Sequence, residues 1–243
     1  MRTAVISDVH GNDVALRAVL ADVDADQLVC LGDVAQGGPQ PAEVVDRLRA
    51  LELPAFFVLG NSDAFLLDAD AGREPTTPRQ LEVREWSNAR LGAERLEFLR
   101  SFAPSLDVDV GGATLRAFHG SPSDFDDVIL PSLGEGEFRG VLGRPETEFM
   151  AGGHVHLQWQ RRYGATTFFN PGSVGLSYDH VQPDDDFRFD HFAAYAVLTV
   201  EGGCTELAFR RVPFDVREVG AALEANGIPS LEVDLRRWRV DHG

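Results

Sequence analysis

The stretch SDVHGNDVALRAVL, residues 7–20, joins a short apolar run to a helical pattern through a polar loop. Residues 3–7 are mostly apolar or β-branched, which is typical of a buried strand. Apolar residues then recur at positions 16, 19, 20 and 23, the spacing of one helix face, and Asn12 or Asp13 stands where an N-cap is expected. The stretch therefore predicts a strand and a helix, with Asp8 and His10 in the loop between them.

The same pattern continues along the chain. QLVCLGD (27–33) predicts a second strand, GGPQPAEVVDRLRAL (37–51) a helix with proline in its first turn, and PAFFVLGNSD (54–63) a third strand. This βαβαβ order implies parallel strands in a layered α/β structure.

The rest of the chain alternates between helical and hairpin patterns. Residues 64–102 are predicted to be largely helical around the loop REPTTPRQ (73–80), and the last 30 residues are predicted to be helical. Glycine turns within 105–120, 157–173 and 192–212 predict three hairpins. The sequence shows no repeats or linkers, so we expect an α/β (α+β) fold that forms a single domain over residues 1–243.

Composition excludes several classes of function. The formal net charge of −17 disfavours nucleic-acid binding, because the surface repels phosphates unless metal ions or a basic patch reverse the field. No apolar run is long enough to span a membrane, and the N-terminus lacks the features of a signal peptide, so we expect a cytoplasmic protein. Cys30 and Cys204 are predicted to be small buried side chains rather than a disulfide.

Polar residues of one chemical kind stand at the ends of the predicted strands. Because ligands of open α/β sheets bind beyond the carboxyl ends of the strands, we expect these side chains to converge. Carboxylate, amide and imidazole groups ligate divalent metals, and residues two apart in extended chain point the same way. The candidate metal ligands are Asp8, His10, Asp33, Asn61, His119, His154 and His156.

Each of these pieces has an ordinary alternative explanation. Asp-Val-His is typical of a polar turn, Gly-Asp of a turn or helix cap, and a lone histidine of a hydrogen-bonded core residue. The set nevertheless includes four of the seven histidines in the chain, all at predicted strand ends. Seven ligands are too many for one ion, so we expect two divalent ions: Mn, Fe, Zn, Ni or Mg, with Mn favoured for activity. No cysteine belongs to the set, which argues against structural zinc.

The ordered set resembles the calcineurin-like metallophosphoesterases. Their pattern of D-x-H, G-D, G-N-H-[DE], H and G-H-x-H corresponds here to Asp8-Val-His10, Gly32-Asp33, Gly60-Asn61-Ser62-Asp63, His119 and Gly153-His154-Val-His156. HGNDVALRAVL, HGSPSD and NPGSVG further resemble the bacterial and archaeal branch related to diadenosine tetraphosphatase. The resemblance implies the metallophosphoesterase fold, a four-layer αββα sandwich of two mixed β-sheets flanked by helices.

The resemblance also implies how the ligands divide and act. Asp8, His10 and His156 would hold one metal, Asn61, His119 and His154 the other, and Asp33 would bridge both. Two metals held in this way, about 3.5–4 Å apart, would share a hydroxide, which would attack phosphorus in line. The residues with implied catalytic roles are Asp33, Asn61, His119 and Asp63, and those with implied substrate contacts are Asn61, His119 and Ser62. Asp63 either orients a histidine or caps a helix.

Ser62 departs from the commoner family pattern, which has histidine at this position. A serine hydroxyl is a poor general acid near neutral pH. We therefore expect a preference for leaving groups that need little protonation, such as phosphoanhydrides and activated diesters.

Four functional hypotheses follow. The first is a hydrolase of phosphodiester or phosphoanhydride bonds in a small phosphorylated substrate. The others are a phosphoprotein phosphatase, a non-catalytic metal-bearing scaffold, and a nuclease that the charge disfavours. The acidic segment 177–192 is a solvated loop, a substrate lid or a third metal site. Substrate, native metal and oligomeric state stay open.

Overall fold

The computed structural model describes residues 1–72, 76–144 and 146–239. A first five-stranded sheet has the strand order β10-β9-β1-β2-β3. Strands β1, β2 and β3 run parallel, while β9 and β10 add antiparallel strands beyond β1. Its strands are β1 (Arg2–Ile6), β2 (Gln27–Cys30), β3 (Ala55–Phe57), β9 (Phe192–Glu201) and β10 (Cys204–Pro213).

A second five-stranded sheet has the order β4-β5-β6-β8-β7. Its central strands β5, β6 and β8 are parallel, and hairpins attach β4 and β7 at the two edges. Its strands are β4 (Ser105–Asp109), β5 (Thr114–Phe118), β6 (Phe149–Ala151), β7 (Gln158–Tyr163) and β8 (Thr166–Pro171).

Helices cover the outer faces of both sheets. Asn12 caps the first helix by accepting a hydrogen bond from the Ala15 N–H, and the second helix begins at Pro41, as expected. The fourth helix is kinked at Gly92, whose φ of 66° departs from helical geometry. The helices are α1 (Asp13–Asp22), α2 (Pro41–Arg49), α3 (Asn61–Leu67), α4 (Pro78–Arg100), α5 (Glu135–Leu142), α6 (Val216–Asn226) and α7 (Leu231–Trp238). None of these described helices is long and apolar enough to span a lipid bilayer.

The alternating direction of side chains along β1 explains how the layers pack. Val5 belongs to an apolar core between the two sheets, together with Leu115 and Phe169 of the second sheet. Its neighbour Ile6 belongs to a core on the opposite face, under α1, α2 and α4. Successive strand residues point to opposite faces, so one strand serves both cores. On the outer face of the second sheet, Phe138 of α5 lies in a third core.

The expected four-layer sandwich of two mixed sheets is confirmed. Three details differ from the sequence expectations. Helix α5 follows no pattern that we identified. Cys204 is exposed at the start of β10, whereas Cys30 is buried as predicted. Helix α4 begins at Pro78, inside the segment 73–80 that was expected to be a loop; residues 73–75 lie outside the described ranges.

Candidate metal centre

Strained backbone marks the candidate site. Among the described non-glycine residues, six have a positive φ, and five of these are sequence-predicted ligands. L-residues adopt this conformation rarely, and such strain clusters at functional sites. The five strained residues are Asp8, His10, Asp33, His154 and His156, which follow β1, β2 and β6.

Backbone carbonyls set the orientation of three histidine rings. The Nδ1 atoms of His10, His119 and His156 each lie 2.7 Å from a backbone oxygen, of Gln36, Leu31 and Leu176 respectively. A carbonyl only accepts hydrogen bonds, so each Nδ1 carries a proton and each Nε2 points into the cluster. This arrangement is the usual outer support of metal-ligating histidines.

The free ring nitrogens meet two buried carboxylates. His10 Nε2 lies 3.1 Å from His156 Nε2, and His156 Nε2 lies 3.3 Å from Asp8 Oδ1. Asp33 Oδ2 lies 3.7 Å from His10 Nε2 and 3.5 Å from His119 Nε2, between the two histidines. Two groups of possible metal-holding atoms result among the described residues, each within 4.8 Å: Asp8, His10 and His156, and Asp8, Asp33 and His119.

Asn61 connects the remaining histidine to this cluster. Its Oδ1 lies 2.9 Å from His119 Nε2 and 3.0 Å from His154 Nδ1. His154 therefore presents its Nδ1 atom where the other three histidines present Nε2. All seven sequence-predicted ligands thus lie in one continuous cluster at the carboxyl ends of β1, β2, β3, β5 and β6.

The electrostatics of the cluster fit a cation. Asp8 Oδ1 is buried and has no hydrogen-bond partner among the described residues. Burial raises the pKa of Asp8, but the neighbouring His156 and His119 bring it down to about 2. Burial lowers the pKa of His119, yet Asp33 raises it to about 10. Two ionised carboxylates therefore hold positive charge in a site where the His10 and His156 lone pairs also converge, which is the donor set of a divalent metal.

Asp63 supports the site through backbone amides. Its Oδ2 accepts hydrogen bonds from the Asp33 N–H at 2.8 Å and the Gly60 N–H at 3.3 Å, and its Oδ1 accepts from the Val34 N–H at 3.0 Å. Burial, and then the charge of Asp33, raise the pKa of Asp63 to about 7. The contact with Gly60 is that of a helix cap, and the other two hold the loop after β2; among the described residues Asp63 makes no hydrogen bond to a histidine.

The segment 177–192 lies at the rim of the site. Tyr178 packs against His156 with ring centroids 5.6 Å apart, and His180 stacks on Tyr178 at 4.5 Å. Phe187 also contacts Tyr178, so an aromatic cluster stands beside the acidic residues of the segment. Among the described side chains, this segment contributes no third group of metal ligands.

Sequence reasoning missed the role of Gln36. Its backbone oxygen orients His10, and the residue lines two neighbouring cavities beside the cluster. The residue lies in the loop after Asp33, which carries no periodic pattern; its proximity to Gly-Asp is the one signal that pointed to it. Ser173, in the NPGSVG segment (170–175), donates a hydrogen bond from its hydroxyl to the Asp8 backbone oxygen at 2.8 Å.

Known proteins share this fold and sequence. An uncharacterised protein from Methanocaldococcus jannaschii is 26% identical over 93% of both chains. A protein named symmetrical bis(5'-nucleosyl)-tetraphosphatase, from Pectobacterium carotovorum, is 34% identical over 45% of this chain and 40% of its own length, so less than half of that relative is matched. The crystal structure of a metallophosphoesterase from Sphaerobacter thermophilus matches with a TM-score of 0.76 and 26% identity, covering 98% of this chain and 99% of that chain.

A family model described as the calcineurin-like phosphoesterase superfamily domain matches residues 1–203, which include every candidate ligand. This match supports metal-dependent hydrolysis of phosphoesters. The chain belongs to the calcineurin-like phosphoesterase superfamily.

Proposed function

We propose that this protein is a dinuclear-metal phosphoesterase that hydrolyses phosphodiester or phosphoanhydride bonds of a small substrate. The observation that carries the proposal is the pair of Nε2 atoms of His10 and His156, 3.1 Å apart beside Asp8. The Nδ1 atoms of both histidines are bonded to backbone carbonyls. The Nε2 lone pairs that face each other therefore repel, unless they share a proton or a metal cation.

The ligand division is part of the proposal. Asp8, His10 and His156 would hold one cation, Asn61, His119 and His154 would hold the other, and Asp33 would serve both. When bound, two divalent cations lower the pKa of water and stabilise charge on a phosphoryl group. Manganese is the cation that we expect to support activity best.

Other residues of the chain hold the candidate metal ligands in position. Asp63 holds the backbone of Asp33, and carbonyl oxygens hold three imidazole rings at Nδ1. The Asn61 amide is the group that we assign to contact the phosphoryl oxygens, because His119 already uses Nδ1 on the Leu31 oxygen and Nε2 in the metal cluster. The Ser62 hydroxyl donates to Asp33 Oδ2 at 2.7 Å, so it is engaged with the carboxylate and supplies no proton to a leaving group. The engaged hydroxyl supports our expectation that the enzyme prefers substrates whose leaving groups need little protonation.

A cavity of about 430 Å³ adjoins the cluster on the α3 side. Asn61, Ser62 and His154 form its end at the metal centre, and Phe65 and Gln80 form part of its wall. We assign this cavity to one arm of the substrate. Its size is within the range of small-molecule sites.

The domain assignment is also a proposal. Val14 of α1 packs in one apolar cluster with Val219 and Leu223 of α6 and Leu235 of α7. Because the C-terminal helices share a core with the first helix, we propose that residues 1–243 form a single domain.

The test combines metal analysis with a comparison of substrates. The protein is stripped with chelator, reloaded with Mn²⁺ and assayed on bis-p-nitrophenyl phosphate, p-nitrophenyl phosphate and diadenosine tetraphosphate. We expect two bound ions per chain and turnover of the diester or the dinucleotide, with little turnover of the monoester. Asp33→Asn should lose both ions and activity. The matched control Asp107→Asn removes an exposed carboxylate of β4 and should retain both.

Fast monoester turnover would instead favour the phosphoprotein phosphatase. Two bound ions with no turnover of any substrate would favour the non-catalytic scaffold. Binding of two ions by Asp33→Asn would contradict the bridging role.

A further inference from the structure

Strand β10 forms one edge of the first sheet, where it pairs with β9 alone among the described strands. Its ten residues stand in unbroken register against β9, and proline occurs only at its last position. The strand at the other edge of this sheet, β3, has three residues. Edge strands are usually short, or interrupted by a bulge or a proline, because their free backbone groups pair readily with another chain. Strand β10 is long and has neither interruption.

The hydrogen bonds of β9 show which backbone groups of β10 face the free edge. Val200 of β9 turns away from β10, because its N–H donates to the Met1 oxygen at 2.9 Å and its oxygen accepts from the Met1 amino group at 2.8 Å. Its partner in β10 is Thr205, whose backbone groups therefore point to the free edge. The same direction recurs at every second residue, which gives four outward-facing residues: Thr205, Leu207, Phe209 and Arg211.

The sequence of β10 is complementary to itself when two copies run antiparallel. A two-fold axis at Ala208 places Leu207 opposite Phe209 of the second copy, and Glu206 opposite Arg210 of the second copy. Leu207 and Phe209 then form a hydrogen-bonded pair, as their outward backbone groups require. Glu206 and Arg210 form a non-hydrogen-bonded pair, in which side chains lie closest.

The charges along the edge fit this register. Glu206 is exposed and forms no ion pair with any described residue. Arg210 binds Asp22 through Nε and Nη2, which leaves the N–H groups of Nη1 for a second carboxylate. Within one strand Glu206 and Arg210 stand four residues apart, about 14 Å, so they do not pair in a single chain. Two-fold pairing brings each of them beside the opposite charge.

The adjacent registers lose this match. An axis one residue earlier or later keeps the outward backbone groups aligned but places Arg210 opposite Cys204 or Ala208. In neither register does Glu206 face an arginine. The charges therefore select the axis at Ala208.

The same pairing covers apolar surface. Leu207 and Phe209 are only partly buried, at the margin of the core between the two sheets. Opposite the same two side chains of a second copy, they lose further contact with water, which favours association. The two five-stranded sheets then continue into one sheet whose strand number stays within the range of open sheets.

We propose that the free edge of β10 is a dimerisation surface, and that its partner is β10 of a second copy, antiparallel, with the two-fold axis at Ala208. The inference goes beyond the proposed function and does not depend on it, since no candidate metal ligand lies in β10. An inactive phosphoesterase assay would contradict the proposed function and leave the dimer untouched.

Sedimentation velocity of the full chain over a range of concentrations tests association. We expect a species of twice the mass of one chain. Glu206→Arg places two arginines opposite each other at both contacts and should raise the dissociation constant of the dimer at least about tenfold. Glu201→Arg makes the same change of charge at the exposed end of β9 and should leave that constant unchanged.

Disulfide cross-linking tests the register. The background is Cys204→Ser, in which the remaining Cys30 is buried. Ala208→Cys places two thiols across the axis with Cα atoms about 4.5 Å apart, a separation that a disulfide spans. With diamide as the oxidant of the two thiols, we expect a covalent dimer on non-reducing gels. Glu206→Cys is the matched control, because its two copies lie about 14 Å apart along the strands and should stay uncoupled.

A monomer at every concentration would overturn the inference. A dimer that Ala208→Cys does not cross-link would also overturn it, since association would then use another surface. So would a dimer that Glu206→Arg leaves intact. If Glu206→Arg fails to fold, the comparison of the two cysteine variants still decides the register.

Discussion

Ser62 holds both oxygens of the Asp33 carboxylate: its hydroxyl donates to Oδ2 at 2.7 Å, and its backbone N–H donates to Oδ1 at 2.8 Å. The residue that departs from the commoner family pattern is thus a positioning group for the proposed bridging ligand. Helix α3 creates this contact, because it begins at Asn61 and the Ser62 N–H in its first turn points to Asp33 after β2.

Ser62→Ala should remove one of these two donors and keep the other. A hydrogen bond to a charged group contributes about 1.5–3 kcal/mol, so we expect turnover of the diester to fall by about tenfold or more. Metal affinity, measured by titration with Mn²⁺, should fall in parallel. Ser101→Ala removes an exposed hydroxyl that bonds to the Phe98 backbone oxygen and serves as the control. Unchanged metal affinity and turnover in Ser62→Ala would contradict the positioning role.

Gly60→Ala should displace Asp33. A Cβ at this position would lie 2.1 Å from Asp33 Oδ1 and 2.4 Å from the Asp33 backbone nitrogen. A misplacement of about 1 Å at a catalytic centre costs about a hundredfold in rate, so we expect at least that loss of turnover. Metal content and steady-state kinetics measure the effect.

Gly136→Ala is the matched control for this change. Gly136 lies within α5, and a Cβ there meets no atom within 4 Å. Alanine stabilises a helix interior by up to about 1 kcal/mol relative to glycine. The control should therefore unfold at a slightly higher denaturant concentration and keep full activity; loss of activity in both variants would mean that the Gly60 effect is not specific.

Phe138→Ala should strongly destabilise the second sheet. Phe138 of α5 is 1% exposed, and its ring packs edge-on against Trp159, Tyr163 and Phe168. Truncation of a buried phenylalanine typically costs about 3–5 kcal/mol, which urea unfolding would measure. Val181→Ala, at a side chain that is 89% exposed, should change the free energy of unfolding by less than about 0.5 kcal/mol. A loss below about 1 kcal/mol for Phe138→Ala would show that α5 contributes little to the core.

Asp22 should contribute to stability only above acidic pH. Hydrogen bonds from Arg210 and then Tyr195 lower its pKa from the ordinary value of 3.8. The folded pKa lies below the unfolded one, so the contribution is complete above the unfolded value and is lost as the pH falls through the folded value. Asp22→Asn should reduce the difference in stability of metal-free protein between about pH 7 and about pH 3. If Asp22→Asn shows the same loss of stability at low pH as the unmodified chain, other carboxylates cause that loss.

The sequence determined the layers and which side chains meet in the candidate metal centre. Hydrophobic periodicity located β1, α1, β2, α2 and β3. When one face of an element is buried, apolar residues recur along the local sequence with the period of that element. The ligands stood at strand ends, and parallel strands bring those ends to one edge of a sheet. Helix α5 escaped this reasoning, since its two buried residues, Phe138 and Leu142, are too few to produce a repeat.

Only the tertiary structure decided what each polar group touches. Asp63 caps α3 and the loop after β2, and Ser62 donates to Asp33, because β2 and β3 are neighbours although some thirty residues separate these partners. His10 and Asp234 line the same cavity because α7 packs back against α1 and α6. A local pattern records which face of an element is buried; the partners on that face come from distant parts of the chain, and packing alone brings them together.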